Sequence, residues 1–245
     1  MPILSQGTNS KTKKSDKFEL ANLEKDMQKL LEEFEKTLTG IIYLAPASIS
    51  GKNVCGFASP ACKKACLYTS GMGKFTNVQQ ARINKTKLFI NNKEEYFKQL
   101  NKDIDKLKRK SAKEKALPCV RLNGTSDLPY QNIKQGINKQ SLMHEHKDVQ
   151  FYDYTKDWNR KSKTTNYHLT YSKSELHSEN DVQKMISKGN NVAVVFRNKL
   201  PKTYAGFKVF DGDKTDLRFL DPKGVVVGLL AKGEAKKDVS GFVVD

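Results

Sequence analysis

Short apolar runs, each ending in a polar cluster, recur along this chain and restrict it to one class of fold. Gly40-Ile41-Ile42-Tyr43-Leu44-Ala45 stops at Pro46, and Pro118-Cys119-Val120-Arg121-Leu122 runs into Asn123-Gly124-Thr125-Ser126-Asp127. Val149-Gln150-Phe151-Tyr152-Asp153-Tyr154 runs into Thr155-Lys156-Asp157, and Tyr167-His168-Leu169-Thr170-Tyr171 into Ser172-Lys173-Ser174-Glu175. Asn191-Val192-Ala193-Val194-Val195-Phe196-Arg197, Lys208-Val209-Phe210 and Gly224-Val225-Val226-Val227-Gly228-Leu229 follow. Runs of this length and composition read as buried strands. Helical segments separate several of them, and that alternation implies a mainly parallel sheet. Connections in the last third are shorter than a regular barrel requires, and residues 203–230 suit an antiparallel addition. The expected fold is therefore α/β, an incomplete (β/α) barrel or an open curved, mainly parallel sheet, with an N-terminal helix.

That helix is expected over residues 16–38, where Leu20, Leu23, Met27, Leu30, Leu31, Phe34 and Leu38 recur at spacings of three and four before Gly40 stops them. A longer helical region carries Leu88, Phe89, Tyr96, Phe97, Leu100, Ile104 and Leu107, with a break at Asn91-Asn92. A third helix is expected over 181–187. Residues 1–17 are polar and basic, with too little apolar surface to order themselves, so they read as a flexible arm ahead of a single domain at 18–245.

The cysteine usage sharpens this picture. Three of the four cysteines, Cys55, Cys62 and Cys66, sit in one loop with the spacing C-x6-C-x3-C, directly after the first predicted strand. Four cysteines in 245 residues are too few for a disulfide scaffold. Clustered thiolates suit iron–sulfur clusters, zinc or copper(I). A closed zinc site wants four protein ligands, and the nearest histidine, His144, is remote in sequence. A [4Fe-4S] cluster needs only these three and leaves one iron open to a small-molecule ligand. A loop of buried, inert thiols is the plain alternative.

In parallel sheets, sites form where strands end. Arg121, Asn123, Ser126, Asp127 and Lys156 are thereby candidate ligand-binding residues beside the cysteine loop. Lys173 and Arg197 would add positive charge to the same rim. The 123–127 segment reads equally well as a turn and helix cap. Asp211-Gly212-Asp213 reads as a turn, His168 as a core residue, and Cys119 as a buried small side chain at the far end of its strand.

The formal charge of +17 attracts nucleic acid and anionic metabolites alike. Weak, sequence-indifferent nucleic-acid binding is expected through the basic arm and Lys106-Leu107-Lys108-Arg109-Lys110. No apolar run approaches the length of a membrane span and no secretory signal is evident, which places the expected site of action in the cytoplasm.

Several stretches resemble a bacteriophage family, the gene product 88 family. They are Tyr43-Leu44-Ala45-Pro46-Ala47-Ser48, the cysteine loop through Gly71, Arg121 to Asp127, Phe151 to Lys156, Asn166 to Thr170, and Asp211-Gly212-Asp213 with 216–222. The resemblance implies a phage protein working in the cytoplasm of a bacterial host, and it supplies no reaction. The architecture also resembles that of radical S-adenosylmethionine enzymes, where a three-cysteine loop after the first strand of a partial barrel binds a four-iron cluster. That likeness implies S-adenosylmethionine as a cofactor. The spacing departs from it, since that family's usual motif is C-x3-C-x2-C. The functional expectation is an iron–sulfur protein, radical-SAM-like and with unknown substrate. The alternative is a regulatory or nucleic-acid-binding protein with a structural or redox-sensing cluster, or zinc.

Overall fold

The computed structural model describes residues 1–6, 33–34, 36–69 and 71–245. Ten strands form one sheet: β1 Ser5–Gln6, β2 Lys36–Ile41, β3 Ala116–Arg121, β4 Gln150–Thr155, β5 Tyr167–Ser172, β6 Val192–Phe196, β7 Thr203–Tyr204, β8 Phe207–Asp211, β9 Val226–Leu230 and β10 Val243–Val244. Their order is β1-β2-β3-β4-β5-β6-β9-β8-β7, with β10 pairing β6. All pairings from β2 to β8 along that path are parallel, and the antiparallel ones are the β1–β2 and β7–β8 edges. The sheet is open, with β1 and β7 at its two ends. Of the antiparallel addition expected over residues 203–230, only the β7–β8 hairpin is antiparallel; β8 and β9 pair in parallel.

The helices are α1 Ala47–Ser50, α2 Pro60–Lys64, α3 Thr76–Asn91, α4 Lys93–Lys113, α5 Leu142–Glu145 and α6 Glu179–Ile186. Asn92 separates α3 from α4, and its side chain accepts the Glu95 N–H at 3.0 Å as the cap of α4. Glu94 and Glu95 in the first turn and Lys110 and Lys113 in the last complement the helix dipole. One face of α4 buries Tyr96, Phe97, Leu100, Ile104 and Leu107 against Val120 and Phe151 of the sheet and against Ile42 and Leu44 just beyond β2. A second cluster packs α6 on β6 and β9 through Val182, Ile186, Val194 and Val226. No helix among the described residues is long and apolar enough to cross a membrane.

The structure corrects two expectations at the N-terminal end. The helix foreseen over 16–38 cannot extend to Leu38, because Lys36–Ile41 is a strand in register with β3, from Lys36 opposite Ala116 to Ile41 opposite Arg121. Its burial alternates, with Thr37 and Thr39 inward, and β-branched residues favour that pleat. The remainder of the foreseen helix, residues 16–32 and 35, lies outside the described residues. Likewise 42–45 continue the chain beyond the strand instead of forming it, although Ile41, Ile42, Leu44 and Ala45 are all fully buried. Within the basic arm, Ile3 and Leu4 are buried and their amides donate to the buried carboxylate of Asp103 at 2.5 and 3.2 Å. Residues 7–17 of that arm lie outside the described residues.

Candidate functional site: a thiol-lined cavity

The carboxyl ends of β3, β4, β5, β8 and β9 converge with the loop after β2 on one cavity of about 330 Å³. Cys55, Cys62 and Cys66 line it together with Arg121, Asn123, Ser126, Asp127 and Lys156. The three cysteines and the five candidate ligand-binding residues are thus brought to one cavity, whereas Lys173 and Arg197, expected on the same rim, are not. Cys119 and His168 do not line it either. Cys119 is fully buried among Leu117, Tyr152 and Phe219, and Lys173 and Arg197 donate to carbonyls of the C-terminal segment, Gly241 and Asp238.

Three neighbouring segments hold the cysteine loop. Asp127 N–H donates to Val54 O at 2.8 Å, and the Cys55 thiol lies 3.7 Å from Thr125 O, so the turn after β3 supports the loop's start. Ser59 caps α2 by accepting the Cys62 N–H at 3.2 Å. Glu175, from the loop after β5, accepts from Ser59 Oγ at 2.6 Å and from Ala61 N–H at 2.9 Å. Beyond Cys66, Arg82 of α3 donates to Tyr68 O at 2.6 Å and lies against the rings of Tyr43 and Tyr68.

The 123–127 turn rests on a buried carboxylate. Asp153, in the middle of β4, accepts Asn123 N–H at 2.6 Å, Asn123 Nδ2 at 3.1 Å and the Tyr167 hydroxyl at 2.9 Å. Burial pushes its pKa up to about 7 against those hydrogen bonds. Asn123 Oδ1 in turn accepts from Ser126 Oγ and Leu128 N–H, both at 2.8 Å. The Asn123 and Ser126 side chains therefore shape the turn. Gly124 is required there, since a Cβ would sit 2.7 Å from Ile42 O. Asp127 accepts Lys156 N–H at 2.8 Å and pairs with buried Arg160 at 2.9 Å.

The cavity wall carries both signs of charge, Arg121, Lys156 and Lys232 beside Asp127, Asp213 and Asp216. Arg121 pairs with Asp216 at 2.6 Å and lies 4.8 Å from the centre of the Tyr154 ring. Burial works against its charge, and Asp216 together with Tyr154, Tyr152 and Tyr43 more than offsets that, raising its pKa. Lys156 donates to Lys173 O at 2.8 Å and lies 4.8 Å from the centre of the Phe242 ring. Burial pushes the Cys55 thiol up to about 12, with Asp127 and the other two thiols adding to it. Burial also raises Cys62, and Lys156 opposes that rise.

Sequence reasoning missed Asp153, Tyr154, Asp213, Asp216, Lys232 and Phe242. An aspartate inside the aromatic run Phe151-Tyr152-Asp153-Tyr154 was the one readable signal, since a buried carboxylate needs partners. The Asp211-Gly212-Asp213 segment is a turn, with Asp213 N–H donating to Asp211 Oδ1 at 3.0 Å, and Asp213 also receives Lys232.

As a donor set the site suits a soft metal centre: three free thiols, all partly buried, face one cavity. Among the described residues no group of three or more His, Cys, Asp and Glu side chains is placed to hold a metal ion. A four-iron cube spreads its ligands over separate irons and so wants them farther apart than one ion does.

Fold and cavity together define an α/β protein with its site on the carboxyl rim of a mainly parallel sheet. The chain belongs to the gene product 88 family, a family of phage proteins, whose model matches residues 2–245. No curated protein and no solved structure matches it.

Proposed function

We propose that this protein is an iron–sulfur protein that carries a [4Fe-4S] cluster on Cys55, Cys62 and Cys66 and takes a small ligand into the adjoining cavity. The observation that supports this reading most is the convergence of three free thiols on the cavity built by the strand exits. Cys119 is absent from that wall, which leaves no fourth cysteine to close the cluster. When bound, such a cluster supplies an electron or a Lewis-acidic iron. The chain's own residues do the rest. Arg121 and Lys156 offer cationic donors to an anionic ligand group on a wall that also carries Asp127, Asp213 and Asp216, and Asp216 and the Tyr154 ring fix the guanidinium's direction. S-adenosylmethionine, whose amino-carboxylate end suits an open iron, is the specific ligand we propose, and radical-SAM-like enzymatic chemistry the corresponding reaction class.

Protein made and kept without oxygen should be brown, with about four irons and matching sulfide. Cys55→Ala, Cys62→Ala or Cys66→Ala should each lose most of both, and Cys119→Ala should keep them. Colourless protein holding one stoichiometric zinc overturns the cluster. A reduced-cluster paramagnetic spectrum that S-adenosylmethionine leaves unchanged overturns the ligand alone.

A further inference from the structure

The stretch that carries the cysteine loop has a charge pattern found nowhere else in the chain. Residues 36–93 contain eight lysines and one arginine and not one aspartate or glutamate, although the whole chain has 27 acidic residues. Lys36 pairs with Glu114, while Arg82 and Lys85 are buried. Lys52, Lys63, Lys64 and Lys74 are exposed, and none of the four makes an ion pair among the described residues.

The same stretch is unusually apolar at its surface. Phe57 is 56% exposed and Phe75 47%, with Leu67 and Met72 also projecting into solvent. Phe57 lies in the cysteine loop and Phe75 immediately follows Lys74. The turns Leu67–Thr69 and Gly71–Lys74 pack on each other, and the second packs on α3. Leu67 also lines the cavity. Solvent-facing phenylalanines interleaved with unpaired lysines, in a segment with no carboxylate of its own, are the ingredients of a surface that stacks bases and tracks a backbone. A duplex keeps its base faces covered and offers nothing to Phe57 or Phe75.

We propose that this face binds single-stranded nucleic acid across the mouth of the thiol-lined cavity, with phosphates on Lys52, Lys63, Lys64 and Lys74 and bases on Phe57 and Phe75. The proposal goes beyond the cluster reading and does not depend on it. It also relocates the nucleic-acid contact from the basic end of α4, where Lys106, Arg109, Lys110 and Lys113 lie on a helix surface without an aromatic among them.

The test is fluorescence anisotropy of the full chain with a labelled oligouridylate of about twenty nucleotides, enough for one or more binding sites of this kind. Lys63→Glu with Lys64→Glu should weaken binding at least tenfold and flatten its salt dependence, because fewer counterions are released. Lys63→Gln with Lys64→Gln should do the same to a smaller degree. Phe57→Ala and Phe75→Ala should each weaken binding by about tenfold with the salt slope unchanged, as loss of a stacking platform does. Lys106→Glu with Lys110→Glu should bind like the parent. Three results overturn the proposal: equal binding of duplex, phenylalanine variants that bind like the parent, or competition by polyglutamate as strong as by oligouridylate. The last of these would point to an acidic protein as the partner. Iron content, read on the same samples, tests the cluster separately.

Discussion

From β2 to β5 the sheet is held against a group of rings: Phe89, Tyr96, Phe97 and Tyr130 meet at centroid distances of 5.1–6.4 Å, mostly edge to face, beneath α3 and α4. The loop between β8 and β9 is held instead by buried charge. Arg218 is fully buried, donates to Gly212 O at 3.2 Å and to Thr215 O, and lies 3.2 Å from the equally buried Asp221 carboxylate. That loop presents Asp216 to Arg121 at the cavity. Apolar packing builds the platform here, and polar packing aims the side chains that face the cavity.

The difference can be broken by substitution. Phe97→Ala removes a ring from the first region and should cost about 3–5 kcal/mol in denaturant unfolding, with little dependence on pH. A loss below about 1 kcal/mol would mean that the ring group is not what holds α4 to the sheet.

Arg218→Met should cost less, about 2–3 kcal/mol near neutral pH, because the carboxylate it strands can take up a proton. Burial holds the Asp221 pKa up to about 7 even with Arg218 beside it. A carboxyl raised in the folded state contributes stability that is complete below its ordinary range, about 4, and is lost as pH rises through the folded value. Removing the arginine raises that value further. The stability gap between variant and parent should therefore stay nearly constant below the parent's folded value of about 7 and widen above it, and Asp221→Asn added to Arg218→Met should narrow it at the upper end. A gap that stays constant with pH would show that the pair does not act as an ion pair.

The same division explains what the sequence disclosed. The face of α4 and the break at Asn92 were legible because helical periodicity and capping are local. The rim residues from Arg121 to Lys156 were legible because each stands at the end of a strand-like run or just after it. The helix carried too far, to Leu38, came from a spacing that fits a helix locally, and it was the pairing of Lys36–Ile41 with β3, about eighty residues away, that decided otherwise. Asp216, Lys232 and Phe242 were illegible for a related reason. Asp216 lies in the β8–β9 loop, Lys232 and Phe242 lie after β9, and only the crossovers that place β8, β9 and the C-terminal segment bring them to the cysteine loop.

The cysteine loop itself falls on the polar side of this comparison, and the smallest predicted effect tests that. Ser59 Oγ both accepts the Cys62 N–H and donates to Glu175, so one hydroxyl ties the first turn of α2 to the loop after β5. Replacing an N-cap serine with alanine costs about 1 kcal/mol. In Ser59→Ala that loss should be confined to the loop, since Ser59 belongs to neither the ring group nor the α6 cluster. Global unfolding should shift by no more than about 1 kcal/mol, while amide exchange at Cys62 speeds up and bound iron leaves sooner under chelator. Glu175→Gln keeps an acceptor for the Ala61 N–H but sets an NH2, which donates, opposite Ser59 Oγ, and it removes a negative charge from the start of α2, an effect of about 0.3–1 kcal/mol. It should shorten iron retention less than Ser59→Ala does. Equal exchange at Cys62 in parent and Ser59→Ala would mean that the loop is held mainly by the Asp127–Val54 contact on its other side, and the comparison would then turn on the β3 turn and its buried Asp153.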